Sequence, residues 1–126
     1  MPMIAASPEE VVNDLFDAFE ARDFERVRSF LSDDAFSYLS PIESFSNADD
    51  YIVNISRVGP ILERIERCQT FVNGNDVCSI LKIHTTMDTP DATPVVGLTT
   101  VVDGKIISME VIFDATEYNQ MIVPPA

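Results

Sequence analysis

The sequence predicts an α+β domain in which a curved antiparallel sheet wraps around three N-terminal helices, and three observations carry that prediction. Apolar stripes of helical period fill the first half of the chain, and long alternating runs fill the second. The turn dipeptides Asn73-Gly74 and Asp103-Gly104 fall between those runs, as hairpins require. A chain of 126 residues has the length of one domain, so a single unit over 1–126 is expected, with its core over about 7–123.

Helix 1 is predicted from Pro8 to Ala21. Ser7 and Glu10 form a capping box, Pro8 suits the first helical position, and Val11, Val12, Leu15, Phe16 and Phe19 make one apolar stripe. Glu10, Asp14 and Asp17 form its solvated opposite face. Asp23 caps a shorter helix whose Phe24, Val27, Phe30 and Leu31 share a side. Ala35 to Leu39 is a short strand, broken at Ser40-Pro41 because the residue before proline is driven out of helical space. Ser46 and Asp49 repeat the cap pattern ahead of a third helix carrying Tyr51, Ile52, Ile55 and Val58, and Gly59-Pro60 stops it.

Ile61, Leu62, Ile65 and Cys68 fit a helix, whereas Cys68 to Val72 is extended in character, and the Asn73-Gly74 that follows favours a strand. Val77 to Met87 alternates, with Val77, Ser79, Leu81, Ile83, Thr85 and Met87 on one side. After a loop at Thr89 to Pro94, Val95–Val102 and Lys105–Phe113 pair across Asp103-Gly104. Ile107, Met109, Val111 and Phe113 are placed on the apolar side of the last strand, opposite Ser108, Glu110 and Asp114. Asp114 and Glu117 have the spacing to cap one final helical turn.

The chain is 46% hydrophobic, which excludes a disordered tail, yet 21 acidic and 8 basic side chains leave a net charge of −13. Such a surplus repels phosphate backbones and anionic lipid, and the cations are scattered from Arg22 to Lys105, so neither nucleic acid nor a membrane is an expected partner. No basic-then-apolar leader opens the chain and no apolar run approaches the roughly 20 residues of a spanning helix, so a cytoplasmic location is expected. A two-residue loop at Asn73-Gly74 sets Cys68 opposite Ser79, so Cys68 and Cys78 are expected to be buried free thiols and not a disulfide. Val95–Val102 is apolar or threonine on both faces, which predicts a sheet covered by helices on one side and by a second subunit on the other, a homodimer through the outer sheet face.

One histidine and two cysteines at no ligand spacing give no metal site, and four isolated glycines give no phosphate-cradling loop, so no metal and no cofactor is expected. Among residues that could carry chemistry, Asp114 has Glu117 three residues on and is read first as a helix cap. His84 shares its strand face with Lys82, which favours a surface or interface histidine over a catalytic base. Tyr38 is a possible hydrogen-bond donor, expected to point away from the interior if Ser37 and Leu39 point in.

Several short segments resemble the nuclear-transport-factor-2-like superfamily, also called SnoaL-like, from about Ser7 to Val123. They are Leu15-Phe16-Asp17-Ala18-Phe19, Leu31-Ser32-Asp33-Asp34-Ala35, Gly97 followed by Asp103-Gly104-Lys105-Ile106, and Phe113-Asp114. The ending Phe113-Asp114-Ala115-Thr116-Glu117-Tyr118 resembles the limonene-epoxide hydrolases in particular, and the ketosteroid isomerases are the other similar enzyme branch. The resemblance implies a cone-shaped α+β fold, commonly dimeric, with an apolar cavity. Catalytic residues of those branches do not carry over. The register puts Ser37 and Leu39 where the hydrolases have a tyrosine and an asparagine, Val111 at their last carboxylate, and Lys82-Ile83-His84 nearest their Arg-x-Asp pair. It puts Leu15 at the isomerases' helix-1 tyrosine, Leu39 or Ser40 near their proton-moving aspartate, and Gly97 or Thr99 near the acid of their oxyanion hole.

The expected cavity wall is Phe16, Phe19, Leu39 and Thr99 with Met109, Val111 and Phe113, and Ser37 is its polar tip. These residues lead to a domain that binds a small apolar or polycyclic molecule, its reaction unassigned. Two alternatives stand beside it: an epoxide hydrolase or isomerase using a non-standard set such as Asp114 with His84 or Tyr38, and a docking module without catalysis.

Overall fold

In the computed structural model, which describes residues 6–86 and 92–114, α1 (Pro8–Glu20) begins at the expected cap. Ser7 Oγ accepts the Glu10 N–H at 3.2 Å, and Val11, Val12, Leu15 and Ala18 are buried. The helix ends in a Schellman stop. Arg22 takes the left-handed position at φ 56°, its N–H donating to the Phe19 carbonyl and that of Asp23 to the Ala18 carbonyl. Asp23 then caps α2 (Phe24–Ser29) by accepting the Arg26 N–H at 3.1 Å.

α3 (Ala48–Val58) starts one step away from the expected cap. Asn47, not Ser46, accepts the Asp50 N–H at 2.9 Å. Arg28 ties the two helices together, with Nε 2.9 Å from Asp49 Oδ1 and Nη2 2.8 Å from Asp33 Oδ1. Gly59 is not a left-handed stop either: its φ is −54° and the chain runs on through a 3₁₀ turn, Gly59–Ile61. A Cβ there would overlap the tip of the Phe24 ring of α2, which would have to move.

The strands are β1 (Ser37–Leu39), β2 (Ser44–Phe45), β3 (Leu62–Asn73), β4 (Asp76–Thr85), β5 (Thr93–Val102) and β6 (Lys105–Ile112), in the spatial order β2-β1-β6-β5-β4-β3. The ambiguous segment before Asn73 is thus a strand. β1 runs parallel to β6, so the sheet is mixed and unclosed, not wholly antiparallel. The preceding segment prepares that pairing through a parallel bridge between Leu31 and Ile106.

At the β5–β6 hairpin, Asp103 and Gly104 have φ 51° and 77°, both positive as a type I′ turn demands, and Val102 pairs with Lys105. The β3–β4 loop is Gly74-Asn75, one residue later than expected, with Asn73 opposite Asp76 and Gly74 at φ 61°. That slip and a bulge between Arg67 and Gln69 put Thr70 opposite Ser79 and leave Cys68 at the bulge. Both cysteines are free, but Cys68 is exposed and Cys78 half-buried, so the expected burial does not hold. A second irregularity inverts part of β6. Val101 pairs with Ile106 and Thr100 with Ser108, so Ile107 is the extra residue and Ile106, not Ile107, enters the core with no exposure.

Candidate functional site

The helices cover one face of the sheet, and that face alternates as period two requires. Val77, Ser79 and Leu81 of β4 and Val95, Gly97, Thr99 and Val101 of β5 are buried there. Around them the core divides in two. One cluster joins Val77, Val101, Ile106 and Met109 to the helices, and the other joins Ile65, Leu81 and Val95 to Leu62, Ile83 and Phe113. Phe16, Phe19 and Val111 touch both clusters.

The seam between the clusters is a row across the sheet. Thr70 pairs with Ser79, Ser79 with Gly97, and Gly97 with Val111. Its middle is small. A Cβ placed on Gly97 would meet none of the described residues within 4 Å, although the glycine is buried. Ser79 is 1% exposed and its Oγ has no hydrogen-bond partner among the described residues. Among the described residues, then, the concave face carries open space over Gly97 and an unpaired hydroxyl on the residue paired with it.

Two polar groups bound this region. Arg67 reaches over Phe16, its Cζ 5.5 Å from the ring centroid, and its Nη2 lies 2.7 Å from Asp17 Oδ1 and 2.9 Å from Glu20 Oε1. Glu20 Oε2 also accepts the Ile65 N–H at 3.0 Å, so this trio fastens α1 to β3. Asp17 is therefore ion-paired, not merely solvated. At the other end, the Tyr51 hydroxyl donates to Met109 Sδ at 3.7 Å, and its ring lies 4.6 Å from Tyr38 and 5.4 Å from Phe36. Burial, with the charges of Tyr38 and Glu43, holds the Tyr51 phenol well above its usual pKa. It serves as a neutral donor, not as a base.

Of the residues singled out by sequence, Phe16, Phe19, Thr99, Met109, Val111 and Phe113 face this interior, buried or half-buried. Ser37 and Leu39 do not: Leu39 is 51% exposed, Ser37 is exposed, and Tyr38 between them packs inward. The facing of β1 is set by Phe36, 2% exposed, and by the pairing of Tyr38 with the buried Met109. His84 lies on the outer face. Its Nε2–H donates to Glu66 Oε1 at 3.0 Å, with Arg64 Nη2 3.1 Å from the same nitrogen. Asp114 follows β6 with an exposed side chain, and the cap it was expected to form with Glu117 lies outside the described residues, as does Met87. Asp114, His84 and Tyr38 are not brought together, since β1 and β4 are separated by β6 and β5 and His84 faces the opposite way from Tyr38.

Ser79 and Tyr51 escaped the sequence reading as site residues. Ser79 was visible as a lone hydroxyl between Val77 and Leu81 on the apolar side of its strand. Tyr51 was visible only as one member of a helix stripe.

No family model matches the sequence, and neither does any curated protein. Solved structures match it over nearly its whole length. An NTF2-like protein of unknown function from Cytophaga hutchinsonii superposes with a TM-score of 0.79 at 20% identity, covering 95% of this chain and 100% of its own. The fold is NTF2-like. A proposed SnoaL-like polyketide cyclase from Jannaschia sp. CCS1 superposes on the same NTF2-like cone at 0.77 and 19% identity, covering 100% and 98%. An LEH-like epoxide hydrolase from M. tuberculosis does so at 0.71 and 18%, covering 86% and 83%. At these identities the likeness lies in the NTF2-like fold, and the site must be argued from its own residues.

Proposed function

We propose that this domain binds a small, mainly apolar molecule in the gap between α1 and the concave face of the sheet, with no reaction assigned. The open space over the buried Gly97, set between two apolar clusters, is the observation that carries the reading. Acid–base turnover by Asp114, His84 and Tyr38 is not favoured, because those side chains do not share a site. Two free thiols, one of them exposed, support a reducing compartment such as the cytoplasm. A thermal-shift series with terpenes, sterols and bicyclic aromatic compounds tests the reading. A saturable rise in Tm for at least one class is expected, and lost in Gly97→Leu, which fills the space. If no compound stabilises the protein, or if Gly97→Leu leaves the response intact, the reading fails.

A second reading concerns the outer face, where Leu98 and Ile112 are 40% and 47% exposed and Leu39 and Phe71 more so. A groove of about 400 Å³ runs there between Phe71, Cys78, Leu98, Thr100, Ser108 and Glu110. We infer that a second copy of this chain covers it, with the exposed Phe71, Leu98 and Ile112 as the apolar surface to be buried and Asp76 and Glu110 as the charges that the contact must accommodate. Sedimentation equilibrium at micromolar concentration should give a dimer that Leu98→Asp dissociates. A wild-type monomer removes this reading and leaves the first untouched.

A further inference from the structure

Ser79 Oγ is, among the described residues, the one buried side-chain polar atom without a hydrogen-bond partner. Folding a hydroxyl away from water without replacing its hydrogen bonds is unfavourable, and alanine would fit the same position without that loss. The group stands directly across from Gly97, on the same face, where a side chain has been omitted and no described residue fills its place. Small residue and unpaired hydroxyl together make a notch with one polar point in an apolar wall of Phe16, Phe19 and Val111.

We propose that this notch takes a neutral ligand through a single hydroxyl or carbonyl group hydrogen-bonded to Ser79 Oγ, an inference that rests on the ligand-binding function proposed above. A serine hydroxyl both donates and accepts, so it serves an alcohol or a ketone equally. Negative charge is selected against. The guanidinium over Phe16 is already committed to Asp17 and Glu20, so a carboxylate entering beside it meets two carboxylates and a neutralised cation. The rest of the ligand lies against aromatic and aliphatic carbon.

Indane, 2-indanol, 2-indanone and indane-2-carboxylate share one skeleton and separate these terms in a titration calorimetry series on the full chain. Wild type should bind the alcohol and the ketone about fivefold more tightly than the hydrocarbon, the worth of one hydrogen bond, and the carboxylate not measurably. Ser79→Ala should bring alcohol and ketone down to the hydrocarbon's affinity while leaving the hydrocarbon's own affinity unchanged. The Tm of unliganded Ser79→Ala should equal or exceed that of wild type, since no interaction is lost. A preference for alcohol and ketone that survives Ser79→Ala, or a carboxylate that binds as well as the alcohol, overturns the inference and leaves ligand binding standing. Failure of all four compounds to bind, with no response in the wider thermal-shift series, overturns the ligand-binding reading and this inference with it.

Discussion

The two faces of β4, β5 and β6 are made of similar residues and meet different surroundings. On the concave face Val77, Leu81, Val95, Val101 and Met109 are buried beneath the helices. On the convex face Ile80 and Val96 are half-buried, and Leu98 and Ile112 are exposed. Strand hydropathy alone does not choose the inner face; the layer packed against it does. The faces differ in a second way. The concave face, with helices available to pack against, holds Ser79 and Gly97 side by side, whereas the same stretch of the convex face is filled by Ile80, Val96 and Leu98. Packing for stability alone would put the larger residues inside.

Paired truncations test this contrast most strongly. Ile106→Ala removes a side chain with no exposure and should cost about 3 kcal/mol in urea unfolding. Leu98→Ala on the convex face, 40% exposed before the change, should cost about 1 kcal/mol or less. Equal penalties would break the comparison, because they would mean that the convex face is as well covered in solution as the concave one.

A smaller effect separates two buried glycines. Gly59→Ala drives a methyl into the Phe24 ring and should destabilise the fold by about 1–3 kcal/mol, relieved by Phe24→Leu. Gly97→Ala enters open space at a φ that alanine accepts, and should stabilise the fold by about 0.5 kcal/mol by restricting the unfolded chain. Loss of stability in Gly97→Ala would show that the gap is already filled, and both the proposed site and the contrast between the faces would go with it.

How much of this was legible in the sequence depends on the range over which each feature is determined. Ser7, Asp23 and Asp103-Gly104 announced their caps and turn because those features are closed within a few residues. The facing of β1 was misjudged because three residues carry too little alternation to fix it; its parallel pairing with β6, about 70 residues on, does so. Ile106 was missed as a core residue because a bulge at Ile107 shifts the period, and nothing in Lys105 to Ser108 marks that bulge. The candidate site was half legible. Its aromatic wall follows from helix periodicity, but a gap is a relation among Ser79, Gly97 and the helix above them, and none of these residues signals it alone.

The weakest expected effect lies on the convex face and sets ionic contacts against apolar ones. Glu66 accepts a hydrogen bond from His84, which holds its carboxyl below the usual carboxylate range; burial opposes this, and Lys82, Arg64 and the charge of His84 add to it. A carboxyl with a lowered folded-state pKa binds protons less readily in the native protein than in the unfolded chain. Its contribution is therefore complete above the unfolded value of about 4.3 and disappears as pH falls through the folded value. Glu66 and Arg64 are 40% and 56% exposed, so solvent and salt weaken the cluster further. The Tm difference between wild type and Glu66→Gln should accordingly be small at pH 7, shrink in high salt, and decline once the pH is taken below the unfolded value of about 4.3. The penalty of Ile106→Ala should persist under all three conditions, because hydrophobic burial has no proton or counter-ion linked to it. A Glu66→Gln penalty as indifferent to pH and salt as that of Ile106→Ala would place the His84 cluster beneath a covering layer and so argue for a partner on the convex face.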